Sequence, residues 1–351
     1  MRPGRRGPRL TRMRAAVPAL FATLLLLASA PLAQARDVVD ATGRTVTVPD
    51  APARVFAAGP PASVLLYALK PEAMIGWVRA PREGDLPYLL PETRSLPELG
   101  RLTGKGDTLN LEVLLQAEPE LIFDFGTVSD TYLSLAEKVQ TQTGVPYVLI
   151  DGSFANTPTA IRQMAEILGV PEHGEILAAY AEETLSMVDR VLAKVPEESR
   201  PRVYLARGAE GLESAARGAI NAEILERAGG VNVVEGAEKG LVTVSPEQVL
   251  SWAPTVIVTI DRDFARAAPT LAGFAGTPAV QDGQIILAPG NPYGFIDAPP
   301  SVNRLIGLHF LMHRFYPDAA EGDLAVEVAR FYDLFYHVTL DEAAMGKLLA
   351  E

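Results

Sequence analysis

Cysteine is absent from this chain of 351 residues. The sequence therefore excludes disulfide bonds and thiolate metal sites. Histidine is scarce, since the chain contains four. His309 and His313 have the i, i+4 spacing at which two imidazoles can share a metal, but they fall inside an apolar segment, which favours packing. We predict no metal ligand among the histidines and no cofactor.

Motifs of hydrolytic enzymes are also missing. The chain has no G-x-S-x-G nucleophile elbow, no H-E-x-x-H zinc motif and no cysteine nucleophile. Gly59-Pro60-Pro61 does not have the pattern of a phosphate-binding loop. We predict a binding protein without catalysis. A carboxylate-pair exported hydrolase and a periplasmic metal chaperone are the alternatives that the sequence leaves open.

Long apolar runs are lacking after the first 35 residues, and those residues have the three parts of a secretory signal peptide. Six arginines precede an apolar run at 15–28, and Ala33-Gln34-Ala35 has the small-x-small pattern of a cleavage site. The apolar run is shorter than the roughly 18 residues that a spanning helix needs. We predict cleavage after Ala35 and a periplasmic location, with a retained membrane anchor as the alternative.

Basic residues are outnumbered by acidic residues in the rest of the chain. Removal of the six arginines changes the formal net charge from −12, with 31 basic and 43 acidic residues, to −18, with 25 basic residues. Such a negative charge disfavours binding to nucleic acid and to anionic lipid.

The remaining sequence alternates between short β and α patterns, which predicts mostly parallel sheets. One longer helix interrupts the alternation between Glu172 and Val195, where apolar residues from Ile176 onward recur at steps of three and four. We predict an α/β fold of two Rossmann-like lobes joined by this helix. The expected parts are an amino-terminal lobe at 36–170, a bridging helix at 171–196 and a carboxy-terminal lobe at 197–351.

Each predicted lobe contains a copy of one local pattern. Glu112 opens the short helix of LEVLLQAEP before an apolar strand, and Glu247 opens that of PEQVLSWAP before another. In both copies a proline follows the glutamate after seven residues. Glutamate in a first turn is also favoured by the helix dipole alone, but two copies in matching places favour a shared role.

At this repeat the sequence resembles the periplasmic substrate-binding proteins of ABC importers for iron–siderophores, haem and vitamin B12. The resemblance covers nearly all of the chain after the signal peptide, from DATGRTVTVPDAPARVFAAGP to PPSVNRLIGLHFL. It implies two α/β lobes bridged by one rigid helix, with the ligand in the cleft between them. It also implies that Glu112 and Glu247 dock onto arginine pockets of a permease dimer in the inner membrane. We expect a monomer.

The ligand is predicted from residues that follow strands, because ligands of open α/β sheets lie beyond the carboxyl ends of strands. Arginine at these positions suits an anionic ligand, although each arginine taken alone can simply be solvated. Aromatic rings in the loop 291–300 suit a flat ligand, and Asp297 is placed to orient Arg304. The predicted ligand-binding residues are Arg79, Tyr132, Arg207, Arg262, Tyr293 and Phe295.

The resemblance leaves several ligands open. Haem-binding relatives carry a tyrosine near a G-Y-x-R segment, whereas this chain reads Leu99-Gly100-Arg101-Leu102. Haem is therefore disfavoured. We predict an iron complex, either a ferric siderophore or a similar metal chelate, with molybdate, tungstate or cobalamin as the alternatives.

The signal peptide gives a first testable prediction. Exported protein is expected to begin at Arg36, because cleavage follows the Ala33-Gln34-Ala35 site. Amino-terminal sequencing of periplasmic material measures this directly, and exported protein that begins at Met1 would contradict it.

Overall fold

The computed structural model describes residues 35–104, 110–235 and 240–350, together with Met1 and Gly4. Apart from these two residues and Ala35, the predicted signal peptide lies outside the described residues. The described chain begins with a hairpin of β1 (Ala35–Val39) and β2 (Thr45–Pro49), which pair antiparallel. Asp40 closes its turn by accepting hydrogen bonds from Thr42 N and Arg44 N at 2.9 and 3.1 Å.

The first half then builds a parallel sheet of three strands in the order β3-β4-β5. Its strands are buried along nearly their whole length, as expected where helices cover both faces. Prolines and glycines set the helix ends, for example Gly144 and Gly169, which are left-handed at the C-caps of two helices. The elements are β3 (Val55–Ala57), α1 (Pro60–Leu69), α2 (Leu111–Gln116), β4 (Leu121–Gly126), α3 (Asp130–Thr143), β5 (Tyr147–Asp151) and α4 (Thr157–Leu168).

The predicted long helix is α5 (Pro171–Leu192), with a proline in its first turn. Its buried stripe runs from Leu177 to Val191 and packs against α4 at one end. Ile176 was expected in that stripe but is 52% exposed, so the stripe begins one residue later. The helix ends three residues before the predicted Val195, since 193–195 form a turn.

The second half builds a parallel sheet of four strands in the order β11-β10-β6-β8. The sequence missed the small antiparallel ribbon of β7 and β9, because its strands have three residues each and no clear alternation. The elements are β6 (Arg202–Ala206), β7 (Glu213–Ala215), α6 (Glu223–Arg227), β8 (Val231–Asn232), β9 (Leu241–Thr243), α7 (Pro246–Trp252), β10 (Val256–Thr259), α8 (Arg262–Ala267), α9 (Pro278–Gln281) and β11 (Ile285–Leu287). The predicted α/β fold with mostly parallel sheets is confirmed.

The carboxy-terminal helices return to the first half of the chain. They are α10 (Arg304–Phe315), α11 (Leu324–Phe331), a π-helical turn (Tyr332–Tyr336) and α12 (Glu342–Leu349). Tyr67 Oη on α1 donates to Tyr336 O at 2.9 Å, and Tyr88 Oη donates to Ala344 O at 3.3 Å. Helix α10 also packs against α5. The lobe boundaries predicted from the sequence stay a prediction.

Arg304, at the start of α10, joins segments from both halves of the chain. Its buried guanidinium donates to Gly152 O after β5 at 2.7 Å, and to Ile220 O and Glu223 Oε2 beside α6 at 3.2 and 3.0 Å. It also lies 4.5 Å from the ring centre of Phe154. Burial lowers the pKa of Arg304, and the nearby Glu223 carboxylate opposes that shift.

The contact between α4 and α5 gives a test of packing. A Cβ on Gly174 would lie 2.1 Å from Ala165 Cβ, whereas a Cβ on Gly346 of α12 would meet no atom within 4 Å. Gly174→Ala is therefore expected to lower the free energy of unfolding by about 1–3 kcal/mol despite the better helix propensity of alanine. Gly346→Ala is the matched control and should raise it by up to about 1 kcal/mol.

Urea unfolding of the two variants measures both effects. The double variant Ala165→Gly/Gly174→Ala exchanges the two residues across the contact and should return most of the lost stability. An equal gain in stability from Gly174→Ala and Gly346→Ala would contradict the close approach of α4 and α5.

Candidate ligand-binding cleft

A cleft of about 1450 Å³ opens at the carboxyl ends of the strands of both parallel sheets. On one side it is lined by Asp124 and Gly126 at the end of β4 and by Asp151 at the end of β5. On the other side Arg207 follows β6 and Ile260 follows β10. Residues after strands therefore form the walls, as open α/β sheets predict.

Five of the six sequence-predicted ligand residues line this cleft. They are Arg79, Tyr132, Arg207, Arg262 and Tyr293. Phe295 does not line it: the ring is 0% exposed and packs edge-on against Phe310, with ring centres 6.4 Å apart. Most of the loop 291–300 lines the cleft, but Phe295 and Ile296 turn into the core.

Arg207 is held between two carboxylates. Its Nε donates to Asp297 Oδ2 at 2.7 Å, and its Nη1 pairs with Glu213 on β7. Asp297 is 0% exposed and also accepts a hydrogen bond from Asn221 Nδ2 at 2.8 Å. Asp297 was expected to orient Arg304, but the carboxylate that pairs with Arg304 is Glu223, and Asp297 acts on Arg304 through its charge alone. Asp297 instead fixes Arg207 at the cleft wall.

The cleft carries more charge than the sequence predicted. Among the described residues, five arginines and six carboxylates line it. Those not predicted are Arg82, Arg101, Asp85, Glu98, Asp124, Asp151 and Glu223. Arg82, Asp85, Glu98 and Arg101 lie in the long loop after Arg79, and loops of that length often contribute to sites. Its length was the available signal, but no local pattern indicated which of its side chains face the cleft.

Most carboxylates of the cleft accept hydrogen bonds from other groups of the protein. Asp85 accepts from Asn291 Nδ2 at 3.0 Å and from Arg82 N at 2.9 Å. Glu98 accepts from Ala80 N at 2.9 Å, and Asp151 accepts from Ser153 N at 2.9 Å. These bonds fix the loops that carry the arginines. Arg79 and Arg82 themselves are exposed, so their guanidinium groups can reach a ligand.

Asp124 is a buried titratable group of the cleft wall, at 7% exposure. Burial raises its pKa to about 6, although hydrogen bonds from Thr103 and from Phe125 N oppose that rise. Gly59 allows this arrangement, because a Cβ there would lie 2.3 Å from Thr103 Oγ1 and 3.4 Å from Asp124 Oδ1. Burial and the Asp124 charge also raise the pKa of the Tyr132 phenol.

Tyr293 adds an aromatic surface beside the arginines. Its ring centre lies 6.4 Å from that of Trp77. Burial and the Asp85 charge raise the pKa of the Tyr293 phenol, and the Arg79 charge acts in the opposite direction. The phenol therefore stays protonated at neutral pH.

The histidines lie away from the cleft. His309 is buried and its Nε2 lies 3.2 Å from Thr184 Oγ1 on α5, and burial lowers its pKa to about 4. His313 Nδ1 lies 2.9 Å from His309 O, so it meets the backbone of its own helix. Within 35–104, 110–235 and 240–350, no group of three or more His, Asp or Glu side chains is placed to hold a metal ion.

Glu112 and Glu247 also lie outside the cleft lining. Both are exposed in the first turn of their helices, α2 and α7. Bonds to backbone and to Ser245 lower the pKa of Glu247, so this carboxylate is ionised at neutral pH. The two glutamates thus have the exposure that a contact with another protein needs.

Comparison with known proteins identifies the family. The family described as periplasmic binding protein matches residues 89–292. The chain belongs to this family. Its members are substrate-binding proteins of ABC transporters. Among the described residues, none of the helices combines the length and the apolar character that crossing a bilayer requires.

Individual relatives agree with this assignment. The molybdate-binding protein MolA of Haemophilus influenzae is 28% identical over 277 residues, which cover 70% of this chain and 76% of MolA. An ABC transporter solute-binding protein from Sulfurospirillum deleyianum is 26% identical, with a TM-score of 0.82, over 90% of this chain and 99% of that chain. The solved structure of MolA with molybdate is 23% identical, with a TM-score of 0.72, over 87% and 99% of the two chains, and shows the shared fold.

The buried Asp124 carboxyl gives a pH prediction for this binding protein. Its pKa is 3.8 in ordinary surroundings and about 6 in the fold, so between these values the folded state holds the proton more tightly. The Asp124 contribution to stability is therefore present at low pH and is lost as the pH rises from about 4 to 6.

Asp124→Asn removes this titration. The free energy of unfolding of the original protein minus that of the variant should fall with rising pH, by up to about 1.4 kcal/mol per pH unit. Urea unfolding at pH 4.5, 5.5 and 7 measures the difference. A difference that is constant across this range would contradict the raised pKa.

Proposed function

We propose that this binding protein captures an anionic metal chelate in its cleft, with a ferric siderophore or similar iron complex as the leading ligand, and delivers it to an ABC permease. The observation that carries the proposal is the large cleft with five arginines on its walls. The volume of the cleft indicates the size of the ligand, and the arginines indicate its charge.

The volume favours a bulky ligand. Sites for drug-sized molecules enclose about 300–1000 Å³, and this cleft has about 1450 Å³. A metal chelate with an organic shell fills such a space, whereas a bare tetrahedral oxyanion leaves most of it to water. Tyr132 and Tyr293 offer ring surface and hydroxyl groups for the organic part of a chelate.

The charge favours an anion. The carboxylates of the cleft accept hydrogen bonds from the protein, while Arg79 and Arg82 extend exposed guanidinium groups from the long loop. Arg207 is fixed in place by Asp297 and Glu213, so it presents its remaining N–H groups in a set direction. A guanidinium recognises carboxylate, hydroxamate or oxyanion oxygens through paired hydrogen bonds.

Molybdate is the second candidate, and the similarity to MolA favours it. A tetrahedral oxyanion would need several guanidinium or backbone N–H donors converging on one point. The two candidates therefore differ in how many cleft residues matter: an oxyanion needs one cluster, and a chelate needs contacts along both walls.

A thermal-shift screen separates these ligands. The purified chain without its signal peptide is heated with ferric siderophores, cobalamin, haem, molybdate or tungstate, since a ligand at 100 times its Kd stabilises the fold by about 2.7 kcal/mol. A shift with a ferric siderophore supports the proposal. A shift with molybdate or tungstate alone would replace it with the second candidate.

Arginine variants then test the site with the ligand that the screen identifies. Arg79→Ala and Arg262→Ala are each expected to weaken binding roughly tenfold or more, because a charge-assisted hydrogen bond contributes about 1.5–3 kcal/mol. Isothermal titration calorimetry measures the Kd. Arg190→Ala is the control, since Arg190 pairs with Glu321 on the exposed surface. Unchanged affinity in Arg79→Ala, Arg207→Ala and Arg262→Ala would remove the anionic-ligand proposal.

We further propose that Glu112 and Glu247 contact the permease. Both carboxylates are exposed, both open a short helix, and neither lines the cleft. A permease built from two related subunits presents two equivalent surfaces, and two matched glutamates suit two matched basic groups.

The double variant Glu112→Ala/Glu247→Ala tests this role. It should fold and bind the ligand with near-normal affinity, because the glutamates lie outside the cleft, and it should fail to support uptake or to stimulate transporter ATPase activity. Normal uptake with this double variant would overturn the docking role. Lost ligand binding in a folded variant would instead place the glutamates at the ligand site.

A further inference from the structure

Helices α2 and α7 match each other position by position, beyond the glutamates. Each helix has an N-cap side chain: Asn110 Oδ1 accepts from Glu112 N at 2.9 Å, and Ser245 Oγ accepts from Gln248 N at 3.3 Å. Each helix is followed by a non-glycine residue in the left-handed region, Glu118 with φ 46° and Ala253 with φ 44°. A buried proline follows each of these and leads into β4 or β10.

The pattern of exposure matches as well. The residue two places after each glutamate, Leu114 or Val249, is 0% exposed and anchors its helix to the core. The next residue is a leucine in both helices, and both leucines lie on the surface: Leu115 is 46% exposed and Leu250 is 42% exposed. The residue before each leucine therefore packs in the core, and the leucine itself stays partly exposed to water.

Each leucine lies beside its glutamate. Residues i and i+3 of a helix are neighbours on its surface, about 5–6 Å apart at Cβ, so Glu112 adjoins Leu115 and Glu247 adjoins Leu250. Val113 is also exposed, at 39%, but its counterpart is the polar Gln248. The two leucines are thus the one matched position at which both helices expose a large apolar side chain.

We infer that Leu115 and Leu250 are the apolar half of a two-part docking element. Each leucine enters an apolar recess of one permease subunit, next to the basic group that meets the adjacent glutamate. The inference rests on the proposed docking of Glu112 and Glu247, and it adds residues that determine the strength of that contact.

The matched pairs favour a permease with two equivalent subunits as the occupant. Two identical acid-plus-leucine pairs fit a partner with two equivalent surfaces, each of which combines positive charge with an apolar recess. A second copy of this chain is a poor fit, since the formal net charge, −12 with the predicted signal peptide and −18 without its six arginines, repels another acidic surface. Burial of an aliphatic side chain adds affinity that salt does not screen, whereas the affinity from exposed charge pairs falls with salt.

The first experiment locates the contact. Because the chain has no cysteine, single cysteines at 112, 115, 247 and 250 can each carry a photoactivated maleimide cross-linker. Cysteines at Val231 and Val326, which are 39% and 62% exposed elsewhere on the surface, are the controls. Cross-linking is done on inner-membrane vesicles, and the adducts are identified by mass spectrometry.

Adducts with the permease subunit of an ABC importer from the four helix positions, and not from the controls, are expected. Adducts with a second copy of this chain from 115 and 250 would overturn the inference in favour of self-association. An absence of permease adducts at all four positions would overturn the proposed docking role and this inference together.

The second experiment distinguishes the contribution of the leucines to permease binding from that of the glutamates. The permease complex found by cross-linking is purified in nanodiscs, and its Kd for each variant is measured at 50 and 500 mM NaCl. Leu115→Ala/Leu250→Ala should weaken binding about 25-fold, roughly fivefold per leucine, at both salt concentrations. Glu112→Gln/Glu247→Gln should weaken binding at 50 mM and should remove most of the salt dependence.

The control Val231→Ala/Val326→Ala should bind like the original protein. Because all of these side chains lie on the surface, circular dichroism and ligand binding are expected to be unchanged. A leucine double variant with unchanged Kd, alongside a glutamate double variant that fails to bind, would overturn this inference and leave the docking role of the glutamates standing.

Discussion

The guanidinium of Arg304 lies fully buried and donates to four acceptors that come from three separate segments of the chain. Gly152 O belongs to the turn after β5, Ile220 O and Glu223 precede and open α6, and Ser301 O lies just before α10. The segments around Gly152 and Ile220 also supply Asp151, Ser153 and Asn221 to the lining of the cleft. Arg304 therefore links segments that form the cleft.

Such a group contributes more to specificity than to stability. A buried ion pair roughly offsets its own desolvation, so the net gain over a well-packed apolar residue is small. Removal of the Arg304 guanidinium is costly, however, because the buried Gly152 carbonyl then loses this donor. Arg304 thereby joins the turn after β5 to the segment before α6, and both of these segments line the cleft.

The proposed anion site combines arginines with carboxylates that are engaged by other groups of the protein. The carboxylates of the wall do not face the ligand freely, since Asp85, Glu98, Asp151 and Asp297 accept hydrogen bonds from the protein. Asp85 and Glu98 fix loops, and Asp297 orients Arg207. Arg79 and Arg82 of the long loop remain exposed. Glu112 and Glu247 of helices α2 and α7 lie outside the cleft lining and are exposed.

Local pattern in the sequence determined much of this protein. Hydrophobic periodicity predicted α5, and β-rich runs between turn residues predicted the strands β4, β5, β6 and β10, because side-chain period is a local property of the backbone. Arginines and tyrosines near the ends of strands predicted five residues of the cleft wall, because ligands of open α/β sheets lie beyond the carboxyl ends of strands. The repeat of Glu112 and Glu247 was likewise visible in the sequence.

Only the tertiary structure decided which side chains meet across long separations. Phe295 and Tyr293 stand two residues apart in one loop, yet one packs in the core and the other lines the cleft. Asp297 pairs with Arg207, 90 residues away, and not with the nearby Arg304. Irregular loops have no period that assigns inward and outward faces, so their side chains are placed by the segments packed against them. Those contacts depend on how the two sheets and α5 come together, which no local pattern encodes.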